Sequence, residues 1–251
     1  MGQGGPVVQS HPRRPLRGAS EFQVEPGVQK AHALHGVPLR LDRPAIVRAS
    51  LSKAVCEPRE ISGLHEFSIR ALDVTGAVLV LLLTAPLSLL FSVLIKMSSP
   101  GPVLYVQERV GRGGKVFALY KFRSMVEDAE KHVGPVWASQ KDHRVTPVGR
   151  VMRRMRVDEL PQLINVVKGD MSLVGPRPER PFFVDRYEAL QGVRLAVRPG
   201  LTGLAQIRGF YDLRPEHKLR YDTLYIQNRS LRLNVSILLK TLPVVIRKTG
   251  W

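Results

Sequence analysis

Between Val74 and Ile95 the chain runs for 22 residues without a charged side chain, VTGAVLVLLLTAPLSLLFSVLI. At about 1.5 Å per residue, a straight helix of that length covers roughly 33 Å, the thickness of a bilayer's hydrocarbon core. A single membrane span is the default reading, and two features argue against it. Pro86 lies just past the middle, where it removes a backbone hydrogen bond, and Thr84 and Ser88 are near enough to satisfy the freed groups. Both flanks are also basic: Arg48, Lys53, Arg59 and Arg70 precede the run, and Lys96, Arg109, Arg112 and Lys115 follow it. That symmetry favours keeping both ends on the cytoplasmic side. The residues fit a re-entrant helix-break-helix segment over 67–97, broken at Pro86, with a soluble domain over 98–251.

The charge places that domain beside something acidic. The 251 residues carry a formal +17, with a pI near 10.6. Residues 1–66 hold nine basic and six acidic side chains, whereas the remainder holds 29 and 15, so the excess belongs to the folded part. Anionic lipid, nucleotide or nucleic acid could absorb it. Nucleic acid is not expected, because there is no zinc-finger spacing, no RRM-type aromatic signature and no basic heptad pattern. Residues 1–66, with seven Gly, seven Pro and no sustained periodicity, read as a disordered basic N-terminal extension without a secretory signal. The lone Cys56 excludes an intrachain disulfide, and His132, His143 and His217 lack paired ligand spacing.

Within the domain, VLYVQERV and KVFALYKF flank the glycine-rich Gly111–Lys115, which predicts a β-hairpin rather than a phosphate loop. Thr146-Pro147 is a helix start carrying Arg150, Arg153 and Arg154 on one face, with no acid from Pro147 to Val157. Leu160, Leu163, Ile164 and Val167 then follow helical spacing up to Gly169, which places Asp158 at an N-cap. Asp158 is either a capping residue or a reactive carboxylate that nearby cations keep ionised. The arginines either pair with Asp158 and Glu159 or meet an external anion, for which their bidentate forks are suited. Two stiff turns, Gly175-Pro176-Arg177-Pro178 and a type II turn at Arg198-Pro199-Gly200, suggest that Arg177 and Arg198 serve one anion site. Two helices are predicted in the last third, separated near Asn228-Arg229-Ser230. Leu238, Leu239, Leu242, Val245 and Ile246 are free to rest on the core or on lipid, with Lys240, Arg247 and Lys248 able to reach headgroups. The fold class is α+β and α-rich: a re-entrant hairpin and interfacial helices with a small β-hairpin carrying a cytoplasmic catalytic domain.

Four blocks together, YKFRSM at Tyr120, DHRVTPVGRVMRRMRVDELPQL at Asp142, KGDMSLVGPRPE at Lys168 and RPGLTGLAQIRG at Arg198, resemble the bacterial sugar transferases. These are monotopic phosphoglycosyl transferases that act on polyprenol phosphates, and the likeness covers roughly residues 67–250. It implies transfer of a sugar 1-phosphate from a UDP-sugar to undecaprenyl phosphate or a similar lipid. Asp158 would be the nucleophile, forming an aspartyl phosphosugar, and Glu159 would help hold Mg²⁺. Lys121, Arg153, Arg177 and Arg198 would contact substrate. The implied place is the bacterial inner membrane, with the domain on its cytoplasmic face. A homodimer is compatible with such an enzyme. The sequence departs from the family at Ala85, where Ser commonly precedes the breaking proline, and at Asn234, where an acid that could balance the lysine is common. Asp222 and Tyr225 resemble a YD-x-x-Y pattern that either packs or contacts substrate. The competing reading is a non-catalytic, basic, membrane-anchored adaptor.

Overall fold

The computed structural model describes residues 62–131, 134, 136, 142–208 and 214–246. The N-terminal extension up to residue 61, with Cys56, lies outside them, as do His132, Arg247 and Lys248. Helix α1 spans Gly63–Ser98, so helix begins four residues before the expected start at 67. The expected break at Pro86 does not divide it, and helix is continuous through that proline. Thr84 Oγ1 donates to the Val80 carbonyl at 2.6 Å rather than to the Leu82 carbonyl that a proline four residues later leaves without its partner.

One stripe of α1 is buried at both ends of the helix. Ile69, Asp73 and Ala77 are covered near its start and Phe91 and Ile95 near its end, with Leu81, Leu87 and Leu94 partly covered between and beside them. The fourfold spacing keeps these residues on one face. The opposite face, with Leu79, Leu82, Leu83, Leu89 and Leu90, is bare. By length and composition this helix is long and apolar enough to cross a membrane.

The hairpin forms as the glycines predict. Strands β1 (Leu104–Val110) and β2 (Val116–Phe122) pair antiparallel with Tyr105 opposite Lys121, and Gly113 and Gly114 take positive φ at the turn. Helices α2 (Pro147–Met155) and α3 (Gln162–Lys168) follow, then β3 (Ser172–Val174) and the short α4 (Pro181–Val184). Strand β4 (Gly200–Thr202) pairs parallel with β3, a second small sheet that the sequence does not signal. Gly200 has no positive φ, so the expected type II turn is absent. Its glycine is required by proximity instead, since a Cβ there would collide with the Gly175 amide. Helices α5 (Leu204–Arg208), α6 (Pro215–Gln227) and α7 (Leu231–Ile246) complete the order, with the last two separated at the predicted place.

The main core gathers Ala77, Leu163, Val166, Met171, Tyr225 and Ile237, so α1, α3, α6 and α7 close over β3. A second cluster of Phe91, Ile95, Phe122, Met152 and Val157 joins the end of α1 to β2 and α2. Burying one such side chain stabilises by about 1.5–3 kcal/mol. The two clusters hold the hairpin, α2 and α3 in fixed relation, and the candidate site lies among them.

Candidate active site

The segment YKFRSM distributes its side chains by strand alternation and by the bend that follows β2. Lys121 lies on the same face of the hairpin as Gln107 and Arg109. Phe122 enters the core, while Arg123 donates from Nη1 to the Pro100 carbonyl at 2.5 Å and from Nη2 to the Ser99 carbonyl at 2.8 Å, fastening β2 to the end of α1. The Ser124 hydroxyl accepts from Arg153 Nε at 2.9 Å, which aims that arginine. Asn165 of α3 locks the strand from the other side, its Oδ1 accepting from the Tyr120 amide at 3.1 Å and its Nδ2 donating to the Ala118 carbonyl at 2.7 Å.

Thr146 opens α2 as predicted, its hydroxyl accepting from the Gly149 amide at 2.9 Å. The helix ends at Arg156, whose φ of 60° is left-handed and unfavourable for a residue with a side chain. Such a conformation costs about 1–3 kcal/mol and persists where the surroundings over-determine it. Here the next residue, Val157, is sealed into the second core cluster. A 3₁₀ turn over Val157–Glu159 follows, and α3 begins only at Gln162. Asp158 is therefore not the helix N-cap that periodicity suggests. Pro161 takes that place, because the buried Val157 and the partly buried Leu160 draw residues 157–160 into a turn of their own.

The turn sets Asp158 in a buried position and Glu159 beside it among cations. Arg177 Nη2 reaches Glu159 Oε1 at 2.5 Å and its Nη1 reaches Oε2 at 3.4 Å, a forked contact. Arg156 Nη1 stands 3.8 Å from the same carboxylate. Burial pushes the Glu159 carboxyl up, but the charge and hydrogen bonds of Arg177, with Arg156 and Lys121, overcome it and hold the group at about 2. Asp158 goes the other way. Burial first, then the neighbouring Glu159 charge, raise it to about 6 against the pull of Lys121, Arg153 and Arg156. The cations thus limit the rise without restoring an ordinary carboxyl. Burial, aided by Arg109 and Arg177, pulls the Lys121 ammonium down to about 7.

Of the predicted site residues, Asp158, Glu159, Lys121, Arg153 and Arg177 converge. Arg198 does not join them through any contact, and its Nε donates to the Gly169 carbonyl at 3.1 Å while its Nη1 meets Glu66 at 3.3 Å near the start of α1. Arg150 and Arg154 are exposed, so Arg153 alone of the three turns inward. Two arginines not singled out for the site also act there. Arg156 carries the left-handed turn at a helix C-terminal position usually filled by Gly or Asn, and nothing in the local sequence marks it. Arg109 follows from the hairpin register, which puts it on the Lys121 face. Asn234 is fully buried with Tyr225, whose hydroxyl donates to the Val174 carbonyl and contacts Asn234 Oδ1, each at 3.0 Å. It therefore belongs to the packing beneath β3 and does not balance Lys121.

For a metal, Asp158 and Glu159 are adjacent carboxylates. Among the described residues there is no group of three or more His, Cys, Asp or Glu able to hold an ion. Two carboxylates suit magnesium, which completes its shell with water and phosphate oxygens.

A buried carboxylate ringed by lysine and arginine, on a strained turn, is an arrangement for handling phosphoryl groups. The match to the "Bacterial sugar transferase" model covers residues 64–248. The chain belongs to the bacterial sugar transferase family. It is 45% identical over 195 residues to a UDP-N-acetylgalactosamine-undecaprenyl-phosphate N-acetylgalactosaminephosphotransferase of Aeromonas hydrophila, covering 75% of this chain and 46% of that protein. It is 44% identical over 186 residues to a UDP-glucose:undecaprenyl-phosphate glucose-1-phosphate transferase of Caulobacter vibrioides, covering 70% and 69%. A third relative, the exopolysaccharide production protein ExoY of Rhizobium meliloti, is 39% identical over 206 residues, covering 76% of this chain and 90% of that one.

Proposed function

We propose that this chain transfers a sugar 1-phosphate from a UDP-sugar to undecaprenyl phosphate, or a similar polyprenol phosphate, through an ester on Asp158. The reading places it at the start of exopolysaccharide, O-antigen or capsule assembly, at the cytoplasmic face of the bacterial inner membrane. The observation that carries it is the buried Asp158 carboxyl, set among the charges of Lys121, Arg153 and Arg156.

In the first step an Asp158 oxygen forms a bond to the phosphorus bearing the sugar, and the bond from that phosphorus to the bridging oxygen breaks, releasing UMP. In the second, an oxygen of the lipid phosphate bonds to the same phosphorus and the Asp158–phosphorus bond breaks, freeing the carboxylate. Dividing one displacement into two lowers each barrier. Lys121 and Arg153 neutralise the equatorial phosphoryl oxygens, and Arg177 orients Glu159. Glu159, with Asp158, would hold Mg²⁺, which when bound shields the diphosphate charge.

The stripe on α1 supports a monotopic arrangement. Both ends of the helix are buried against one domain, whereas the ends of a crossing helix would emerge on opposite sides of the bilayer. A re-entrant or in-plane helix keeps that domain level with a lipid phosphate. The exposed Val235, Leu239 and Leu242 of α7, with Lys240 beside them, suit an anionic headgroup surface. The adaptor reading gives no reason for a buried, raised carboxyl at Asp158.

The test is UMP release from a panel of UDP-sugars by nanodisc-held protein with Mg²⁺ and undecaprenyl phosphate. Release with one sugar, abolished in Asp158→Asn, is the expected result. Equal release by that variant would sink the covalent mechanism, and silence across the panel with lipid binding intact would favour the adaptor.

A further inference from the structure

A completely buried ion pair lies behind the Pro-Arg-Pro turn, outside the reacting centre. Arg194 Nε donates to Asp222 Oδ2 at 2.6 Å, and only 3% and 2% of the two side chains is exposed. The second end of the same guanidinium, Nη2, donates to the backbone carbonyl of Arg177 at 3.1 Å. Arg177 in turn holds Glu159. A fork bonded at both ends to buried acceptors has few alternative rotamers, so it transmits the position of one acceptor to the other. The neighbouring carbonyl is held in the same manner, as Arg109 Nη1 donates to Pro178 O at 2.9 Å. Helix α6, which carries Asp222, also supplies Lys218, whose Nζ lies 2.8 Å from Glu179 at the far end of the turn.

Prolines fix φ at residues 176 and 178, but ψ and the tilt of the intervening peptides are free. The hydrogen bonds to the carbonyls of residues 177 and 178 remove that freedom. An ion pair used only for stability could be replaced by apolar packing at no loss. This pair instead spends one donor on a backbone carbonyl next to the side chain that orients Glu159.

We propose that Asp222 is a positioning residue for phosphoryl transfer: through Arg194 it fixes the backbone of Arg177, and with it the Arg177–Glu159 fork. The inference rests on the reading of Asp158, Glu159 and Arg177 as the reacting centre. Asp222 touches no reacting atom. Its effect travels through a single carbonyl and vanishes where Arg177 has no side chain to direct.

The experiment is a double-mutant cycle in the full chain, held in nanodiscs, with UMP release, thermal unfolding and amide exchange measured on each variant. Asp222→Asn is expected to lower kcat about tenfold with less than a threefold change in KM. Combined with Arg177→Ala it is expected to add no more than twofold to the loss caused by Arg177→Ala alone. Losses that multiply would overturn the proposal, because a structural role acts whether or not Arg177 is present. Because Asp222→Asn strands a buried guanidinium and could prevent folding, Arg194→Met/Asp222→Asn is the second variant, removing both charges while keeping volume. It is expected to fold and to show the same kcat loss, and wild-type turnover from it would equally overturn the proposal. Amide exchange over 172–180 needs no turnover. It should quicken at least tenfold in the folded variants, and unchanged exchange there refutes the coupling even if wild type proves silent with every UDP-sugar, a result that would instead strike the reading of the centre.

Discussion

Replacing Asp158 by Asn should abolish turnover and at the same time make the protein more stable, and the size of that gain follows from the site. The carboxyl moves from an ordinary 3.8 to about 6 on folding, chiefly because burial disfavours its charge. Above both values the ionised group costs the folded state about 3 kcal/mol. An acid with a raised folded value binds its proton more tightly when folded, so stability from this group grows as pH falls through 6 and is absent at pH 8. Asparagine has the shape of the carboxyl and no charge. Its advantage should be about 3 kcal/mol at pH 8, roughly half of that at pH 5 and close to nothing at pH 4. For a domain of this size each kcal/mol moves Tm by about 2–4 °C, so the expected rise at pH 8 is about 6–12 °C.

The assay is thermal unfolding of both proteins in the same detergent at pH 8, 5 and 4, beside UMP release at pH 8. A variant less stable than wild type at pH 8 would refute the argument, as would a gap that does not close with acid. Either result would mean that the cations around Asp158 outweigh burial. An inactive variant that is also more stable would mark a carboxylate kept at a cost to folding, as expected of a group retained for reaction.

Three other outcomes follow from particular contacts. With Lys121 held near 7 by burial and by Arg109 and Arg177, its charge is lost above neutrality, so kcat/KM should rise through about 6 with Asp158 and decline above about 7. Lys121→Arg, which stays charged, should lose the alkaline decline, and a profile for that variant that still declines would contradict the assignment. Gly200→Ala brings a methyl against the Gly175 backbone between β3 and β4, and it should lower Tm by more than 5 °C or prevent folding, checked by the same unfolding assay. Asn234→Asp, although it restores an acid common in the family, puts a charge at a fully buried site beside Tyr225, so it should lower Tm and leave the pH profile of kcat/KM unmoved. A displaced alkaline limb in that variant would show that residue 234 does act on Lys121.

The parts of this molecule that were legible in the sequence are those decided locally. Thr146-Pro147 announces a helix because the cap and the fixed φ act within one turn, and Gly111–Lys115 announces a hairpin because only glycine turns there without strain. The uncharged run is long enough for a helix and became one, with one face bare. Asp158 and Glu159 stood out by their place between an arginine cluster and a stiff turn. What the sequence concealed depends on contacts between distant segments. The parallel pairing of β3 with β4 joins residues 172–174 to 200–202, and no three-residue strand shows in a period of two. The left-handed Arg156 is imposed by Val157 being drawn against Phe91 and Phe122, so the residue that most shapes the turn is unmarked locally.

Arg177 and Arg198 show why two similar turns need not share a site. Both arginines adjoin prolines, and sequence logic assigns both to one anion. The pairing of β3 with β4 sets the backbones of Gly175 and Gly200 side by side, yet the two side chains diverge, Arg177 to Glu159 and Arg198 to Glu66 and the end of α3. One turn orients Glu159 while the other fastens the start of the apolar helix to the domain. Arg70 makes the same kind of fastening, donating to the Val166 and Val167 carbonyls at 2.7 and 2.9 Å. Near the far end of α1, Arg123 grips the Ser99 and Pro100 carbonyls one residue from Ser124, which aims Arg153. The apolar helix is thus tied by arginines at both ends to the domain, near its start to α3 and beyond its end to the strand that carries Lys121. Any tilt of α1 must move the hairpin and α3 with it, so Asp158 keeps a fixed position relative to that helix.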